Sequence, residues 1–163
     1  MGFVALGNAT ETLNAVALDS SCSVPLDLQA FRISSAVIKS IFECMGGGGM
    51  QVYRSAVVVE DTIYPVAYGL FFGFTLLSLT SFCIPSRKWL VTIISVLPLL
   101  AMCSDFLENH FIVKAIDGYP ALPASVVNSL WFFNSMKWGV SIPMLLAVLL
   151  FSVFSLVKVI RKM

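Results

Sequence analysis

The sequence predicts an all-α integral membrane protein: a bundle of three transmembrane helices preceded by an amphipathic interfacial helix. Of the 163 residues, 58% are hydrophobic and only 12% are charged, and the mean hydropathy is +0.92. Three apolar stretches are each long enough to cross a bilayer at about 1.5 Å per residue. An ordinary soluble domain has a smaller apolar share. A net charge of +1 argues against a nucleic-acid partner.

The chain begins with a mixed segment of small and polar residues, 1–28, which we interpret as an irregular N-terminal arm. The four cysteines are Cys22, Cys44, Cys83 and Cys103, and none of them forms a Cys-x-x-Cys pair. This spacing favours small buried hydrophobic side chains over a zinc site or a redox motif.

Residues 29–50 are predicted to form an amphipathic helix and a glycine hinge. The helical pattern runs over 28–45, with Arg32, Lys39 and Glu43 on one narrow strip. The opposite side carries Phe31, Ile38, Ile41, Phe42 and Met45. Asp27 is expected to cap the start of the helix, and the glycines at 46–49 are expected to end it. Such a helix lies on a membrane surface or against a neighbouring protein.

Residues 51–163 form the predicted transmembrane domain, with spans at about 59–83, 89–113 and 126–157. Each span contains one proline that is expected to kink it: Pro65, Pro98 and Pro143. On one side of the membrane the basic residues have no acidic counterparts, whereas acids balance bases on the other. The basic residues of the first side are Arg87, Lys88, Lys158, Arg161 and Lys162. The positive-inside rule therefore places the C-terminus on the cytoplasmic, matrix or stromal side.

Polar side chains inside the spans are predicted to meet in one intramembrane cluster. Asp105, Glu108 and Asn109 share one helix face because they are spaced i, i+3 and i+4. An isolated charge at the centre of a bilayer costs at least about 2.5–3.5 kcal/mol, so we expect Lys137 to pair with an acid. The predicted members are Asp61, Tyr64, Asp105, Glu108, Asn109, Asn134 and Lys137.

This cluster has two interpretations. The functional one is a proton relay, an ion site or a catalytic centre. The structural one is a network that fixes the register of the helices. We favour the structural one, because the sequence contains no nucleophile with an adjacent base and no cofactor motif.

Four further positions have predicted roles in packing or at the membrane interface. Gly69 and Gly73 form a Gly-x-x-x-Gly spacing that permits close approach of another helix. Arg54 and Trp138 are expected at the interface, where Arg54 is placed to reach the polar cluster.

No cofactor is predicted, although bound lipid is expected. The single histidine, His110, lies two residues from Glu108, so the two side chains point to different helix faces and do not predict a metal site. Aromatic residues in the spans fit interfacial packing, with a quinone or pigment contact as the alternative. They are Tyr64, Tyr68, Trp131 and Trp138.

Three stretches resemble an uncharacterised family of small multi-span membrane proteins found widely in bacteria: "GGGGMQVYRSAVVVEDTIYPVAYGL", "LPLLAMCSDFLEN" and "FNSMKW". The resemblance covers roughly residues 40–155. The family motifs fall on Tyr53, Arg54, Asp61, Tyr64, Pro65, Asp105, Glu108, Asn109, Lys137 and Trp138. The resemblance implies a four-helix fold and no particular activity. Residues 1–28 are too polar for the first family span, which implies that this span is missing or supplied by another chain.

The sequence therefore predicts a small non-catalytic subunit of a larger membrane complex, of the bioenergetic (respiratory or photosynthetic) kind. Two surfaces are expected to contact other membrane-protein subunits: the amphipathic helix, and the helix face that carries Gly69 and Gly73, here called the glycine face. An organelle inner membrane is the expected location, mitochondrial ahead of thylakoid. The alternative is a free-standing membrane enzyme or transporter that uses the Asp61, Asp105, Glu108 and Lys137 cluster.

Overall fold

The computed structural model describes residues 25–161, and these residues are almost entirely helical. A short 3₁₀ helix, Leu26–Leu28, precedes three long helices: α1 (Ser35–Cys83), α2 (Lys88–Gly118) and α3 (Ala124–Ile160). All three are long and apolar enough to cross a membrane. The prediction of an all-α membrane protein with three spanning helices is confirmed.

Helix α1 starts later than predicted, because residues 29–34 are not helical. Its start is capped by Ser34, whose Oγ accepts a hydrogen bond of 3.3 Å from the N–H of Val37. The prediction that Asp27 caps this helix was wrong, because the Asp27 carboxylate accepts a hydrogen bond from Tyr53 instead. The predicted irregular arm also ends in the 3₁₀ helix, and its residues 1–24 lie outside the described part of the chain.

The glycine run interrupts α1 at one residue only. Gly46 has φ 63° and ψ 178°, whereas Gly47 and Gly48 continue the helix. The expectation that all four glycines form a hinge was therefore wrong in extent. Within this glycine run, Gly46 is the residue with a positive φ, a conformation that side chains with a Cβ rarely adopt.

The structure divides into two compact units. Unit 1 contains the described residues up to Ile63 together with Asp105–Ser135, and unit 2 contains Tyr64–Ser104 together with the residues from Met136 onward. Each of the three long helices contributes residues to both units.

Unit 1 has an apolar core to which the predicted amphipathic segment contributes directly. Ile38, Ile41 and Phe42 are at most 1% exposed, whereas Lys39 and Glu43 on the opposite side are exposed. The apolar side chains join a cluster contributed by all three helices: Leu26, Ile33, Ile38, Ile41, Phe42, Tyr53, Val57, Ile112, Ala115, Ile116 and Leu130. An independent interfacial helix is therefore not confirmed, because most of this apolar face is covered within the chain, with Phe31, 49% exposed, as the exception.

Unit 2 uses the glycine face for packing within the chain. A Cβ at Gly69 would lie 3.0 Å from Met102 Sδ, and one at Gly73 would lie 3.8 Å from the Ser95 carbonyl oxygen. Helices α1 and α2 therefore approach closely at Gly69. The expectation that this face is open to a partner subunit was wrong, because α2 already covers it.

Each of the three long helices contains one proline. The helices continue through Pro65, Pro98 and Pro143, so none of these residues ends a helix. In the most apolar 18-residue stretch of α3 only 6% is buried, which leaves its leucine-rich surface for contact with membrane lipid.

Candidate functional site

The centre of the candidate site is a buried hydrogen bond in unit 1 between α2 and α3. The Asn134 Nδ2 group donates to Glu108 Oε1 over 2.7 Å, and both side chains are fully buried. Glu108 lies within α2 and Asn134 within α3, on the helix faces for which the spacing predicted a polar cluster. A short bond of this kind links the two helices inside an apolar surrounding.

The same amide also binds the segment that precedes α1. Asn134 Oδ1 accepts a hydrogen bond of 3.0 Å from the backbone N–H of Phe31. Ala30 and Phe31 both have positive φ, 22° and 67°, which turns this backbone toward the amide. Asn134 therefore connects three parts of unit 1 through one side chain.

A second hydrogen bond connects α2 with α1. The Asn109 Nδ2 group donates over 2.9 Å to the backbone carbonyl oxygen of Asp61. Asn109 is 6% exposed, and Asp105, one turn earlier on the same face, is 8% exposed. Glu108, Asn109 and Asn134 thus lie in the interior of unit 1 and make contacts between helices, whereas Asp105 is buried beside them and Asp61 is half-buried.

Outside the predicted spans, unit 1 contains two further polar pairs. Tyr53 donates from its hydroxyl to Asp27 Oδ1 over 3.0 Å. Arg54 forms an ion pair of 2.9 Å with Asp117 at the surface. Arg54 thus binds Asp117, an acid that was not among the predicted cluster members.

The remaining predicted residues belong to unit 2. Lys137 is 9% exposed, and its Nζ lies 5.9 Å from the centroid of the adjacent Trp138 ring. Tyr64 is 66% exposed and stacks edge-on against Tyr68, with the ring centroids 5.4 Å apart. The pairing of Lys137 with an acid stays a prediction.

The side chains of the site determine whether it could bind a metal ion. Within residues 25–161 no group of three or more His, Cys, Asp and Glu side chains is placed to hold a metal ion. His110 is exposed, and its ring packs against Phe111. The hydrogen bonds at the centre of the site join a carboxyl group, two amide side chains and backbone atoms, and bonds of this kind are suited to holding helices in register.

The cysteines differ from the sequence-based interpretation. Cys44 is disulfide-bonded, whereas Cys83 is a buried free thiol and Cys103 an exposed one. Cys22 lies outside the described residues. The interpretation as small buried hydrophobic side chains therefore holds for Cys83 and was wrong for Cys44 and Cys103.

Compared with models of protein families, with curated proteins and with solved structures, the chain has no significant match. The resemblance to a bacterial family of small membrane proteins accordingly stays a prediction.

Sequence reasoning placed Glu108, Asn109 and Asn134 in the site, because helical spacing puts them on inward faces. It missed the Phe31 N–H group, since every residue except proline carries the same backbone donor and no sequence signal distinguishes one. It also missed Asp117 as the partner of Arg54. The sequence signal for that pair was the Asp117 carboxylate itself, which lies near the end of α2.

Proposed function

We propose that this chain is a small non-catalytic subunit of a larger membrane protein complex, of the bioenergetic kind. The observation that supports it best is the use of Asn134, whose two ends bind Glu108 and the Phe31 backbone. Buried polar side chains that bind one another and the backbone stabilise a helix arrangement. An enzyme would instead present such groups to a substrate.

The distribution of apolar surface supports the same proposal. The amphipathic segment and the glycine face are both covered within the chain. Large apolar side chains on all three long helices stay exposed to lipid and to neighbouring subunits, and on α3 Leu146, Leu149 and Leu150 are each more than half exposed. In this proposal the three spans lie between membrane lipid and the other subunits. The buried polar residues around Glu108 and Asn134 hold the three helices in register.

Two observations support a proposed orientation. The loop between α1 and α2 carries Arg87 and Lys88, and the end of α3 carries Lys158 and Arg161, which favours the cytoplasmic, matrix or stromal side for both. Cys44 precedes the first span, on the opposite side, and disulfide bonds persist in oxidising compartments. We place the protein in an organelle inner membrane, mitochondrial ahead of thylakoid.

The test is a pair of variants at Glu108 in cells that lack the wild-type chain. Glu108→Gln keeps an acceptor for Asn134 but cannot exchange a proton near neutral pH, whereas Glu108→Leu leaves the Asn134 donor without its acceptor. Losing the partner of a buried donor costs about 1–3 kcal/mol. We expect Glu108→Gln to accumulate in the membrane and to restore growth, and Glu108→Leu to accumulate poorly.

The readouts separate structure from chemistry. The amount of chain in the membrane is measured by immunoblot, and growth of the complemented cells is measured in parallel. A Glu108→Gln chain that accumulates normally but fails to restore growth would contradict the proposal and favour a transporter or enzyme that uses the Glu108 proton.

A further inference from the structure

Unit 2 has a charge imbalance that its own side chains do not offset. Residues 64–104 and 136–161 contain no aspartate or glutamate, but they contain Arg87, Lys88, Lys137, Lys158 and Arg161. Two of these cations, Lys158 and Arg161, line one groove at the end of α3. No aspartate or glutamate of residues 64–104 and 136–161 competes with an external anion for these two cations.

The groove has an apolar part and a cationic part. Its volume is about 340 Å³, and its lining consists of Cys83, Phe154, Val157, Lys158 and Arg161. Phe154 is 54% exposed and Val157 40% exposed, so both present hydrocarbon to the surroundings. From Phe154 to Arg161 the helix rises about 10 Å, so the groove runs from the apolar part of α3 to its basic end.

The floor of the groove is built from groups that already have partners. Lys158 Nζ donates over 2.7 Å to the carbonyl oxygen of Phe82 in the last turn of α1, and it lies 4.7 Å from the centroid of the Phe82 ring. Cys83 Sγ lies 3.1 Å from Ser155 Oγ. These contacts fix the position of the ammonium group, and an ammonium with three donors keeps two more for a ligand.

We propose that this groove binds an anionic phospholipid. The phosphate of the headgroup is held by Lys158 and Arg161, and one acyl chain lies along Phe154 and Val157. An acidic peptide fits less well, because Phe154 and Val157 line the groove with hydrocarbon beside the two cations. The predicted orientation places the groove in the leaflet that faces the cytoplasm, matrix or stroma, where basic residues meet anionic lipids.

The experiment measures lipid binding to the purified full-length chain in detergent by native mass spectrometry. Phosphatidylglycerol and phosphatidylcholine of identical acyl chains are titrated separately, with inorganic phosphate as a third arm. We expect phosphatidylglycerol to bind at least about tenfold more tightly than phosphatidylcholine, and inorganic phosphate not to displace it. Equal binding of the two lipids, or displacement by phosphate alone, would overturn the proposal.

Variants locate the site. Arg161→Gln combined with Lys158→Gln is expected to weaken phosphatidylglycerol binding about twenty-five-fold, since each cation near a membrane surface contributes about fivefold. Arg87→Gln combined with Lys88→Gln makes the same change in charge at residues that do not line the groove. This control is expected to bind as the wild type does. If both double variants bound phosphatidylglycerol equally weakly, the lipid would be held by general charge attraction. That result would overturn the proposed site.

A steric variant tests the groove without changing charge. Val157→Trp fills the apolar part beside Phe154, and it leaves Lys158 and its bond to Phe82 in place. We expect phosphatidylglycerol binding to fall at least about tenfold, because the acyl chain loses its place. Unchanged binding by a Val157→Trp chain that keeps its helical circular-dichroism spectrum would also overturn the proposal.

Discussion

At the scale of single residues, Asn134 determines how the polar layer of unit 1 is arranged. Its amide binds Glu108 at one end and the Phe31 backbone at the other, and it is fully buried. Helical spacing predicted the inward faces of Glu108 and Asn134. The partner on the backbone was not predictable, because it depends on the positive φ of Phe31, a residue type that rarely adopts that conformation.

Replacement of Asn134 by leucine is expected to lower the stability of the protein. Asn134→Leu leaves the Phe31 N–H and Glu108 without this partner, and the free energy of unfolding should fall by about 2–4 kcal/mol. Asn128→Leu is the matched control, since Asn128 is exposed on the same helix. Thermal unfolding in one detergent, followed by circular dichroism, measures both variants. Equal midpoints for Asn134→Leu and the wild type would contradict the role given to Asn134.

At the scale of elements, most of the helical structure was predictable from hydropathy, and its interruptions were not. The predicted spans lie inside α1, α2 and α3, because long apolar stretches have few alternatives in a membrane. The segment at 28–45 was predicted to be one helix, yet its first part is irregular and Ser34 caps the helix instead. Amphipathic spacing identifies a face, but whether lipid or protein covers that face depends on tertiary packing.

The break at Gly46 gives a prediction at this scale. Gly46→Ala is expected to destabilise the protein by about 1–3 kcal/mol, because a Cβ is disfavoured at φ 63° and ψ 178°. Gly47→Ala is the control, since a Cβ at either position meets no atom within 4 Å and Gly47 is helical. Gly47→Ala should stabilise the helix by up to about 1 kcal/mol. Thermal midpoints that move in the same direction for both variants would show that α1 does not depend on this break.

At the scale of the whole molecule, the chain combines three apolar helices with polar groups that bind one another. Composition alone predicted a membrane protein, and three long apolar helices agree with that prediction. The orientation inferred from the basic residues stays a prediction. The two surfaces that the sequence favoured for partners are occupied by the chain itself. Sequence patterns could not reveal this, because the same small or apolar residues serve contacts within a chain and contacts between chains.

The mass of the native particle that contains this chain tests the central claim most directly. Native membranes are solubilised in a mild detergent and separated on a native gel, and the 17.8 kDa chain is followed by mass spectrometry of the bands. We predict that it comigrates with a stable set of other membrane proteins in a particle many times its own mass. Migration as a monomer or a small homo-oligomer would contradict the subunit proposal and make the Glu108 layer the leading candidate for an active site.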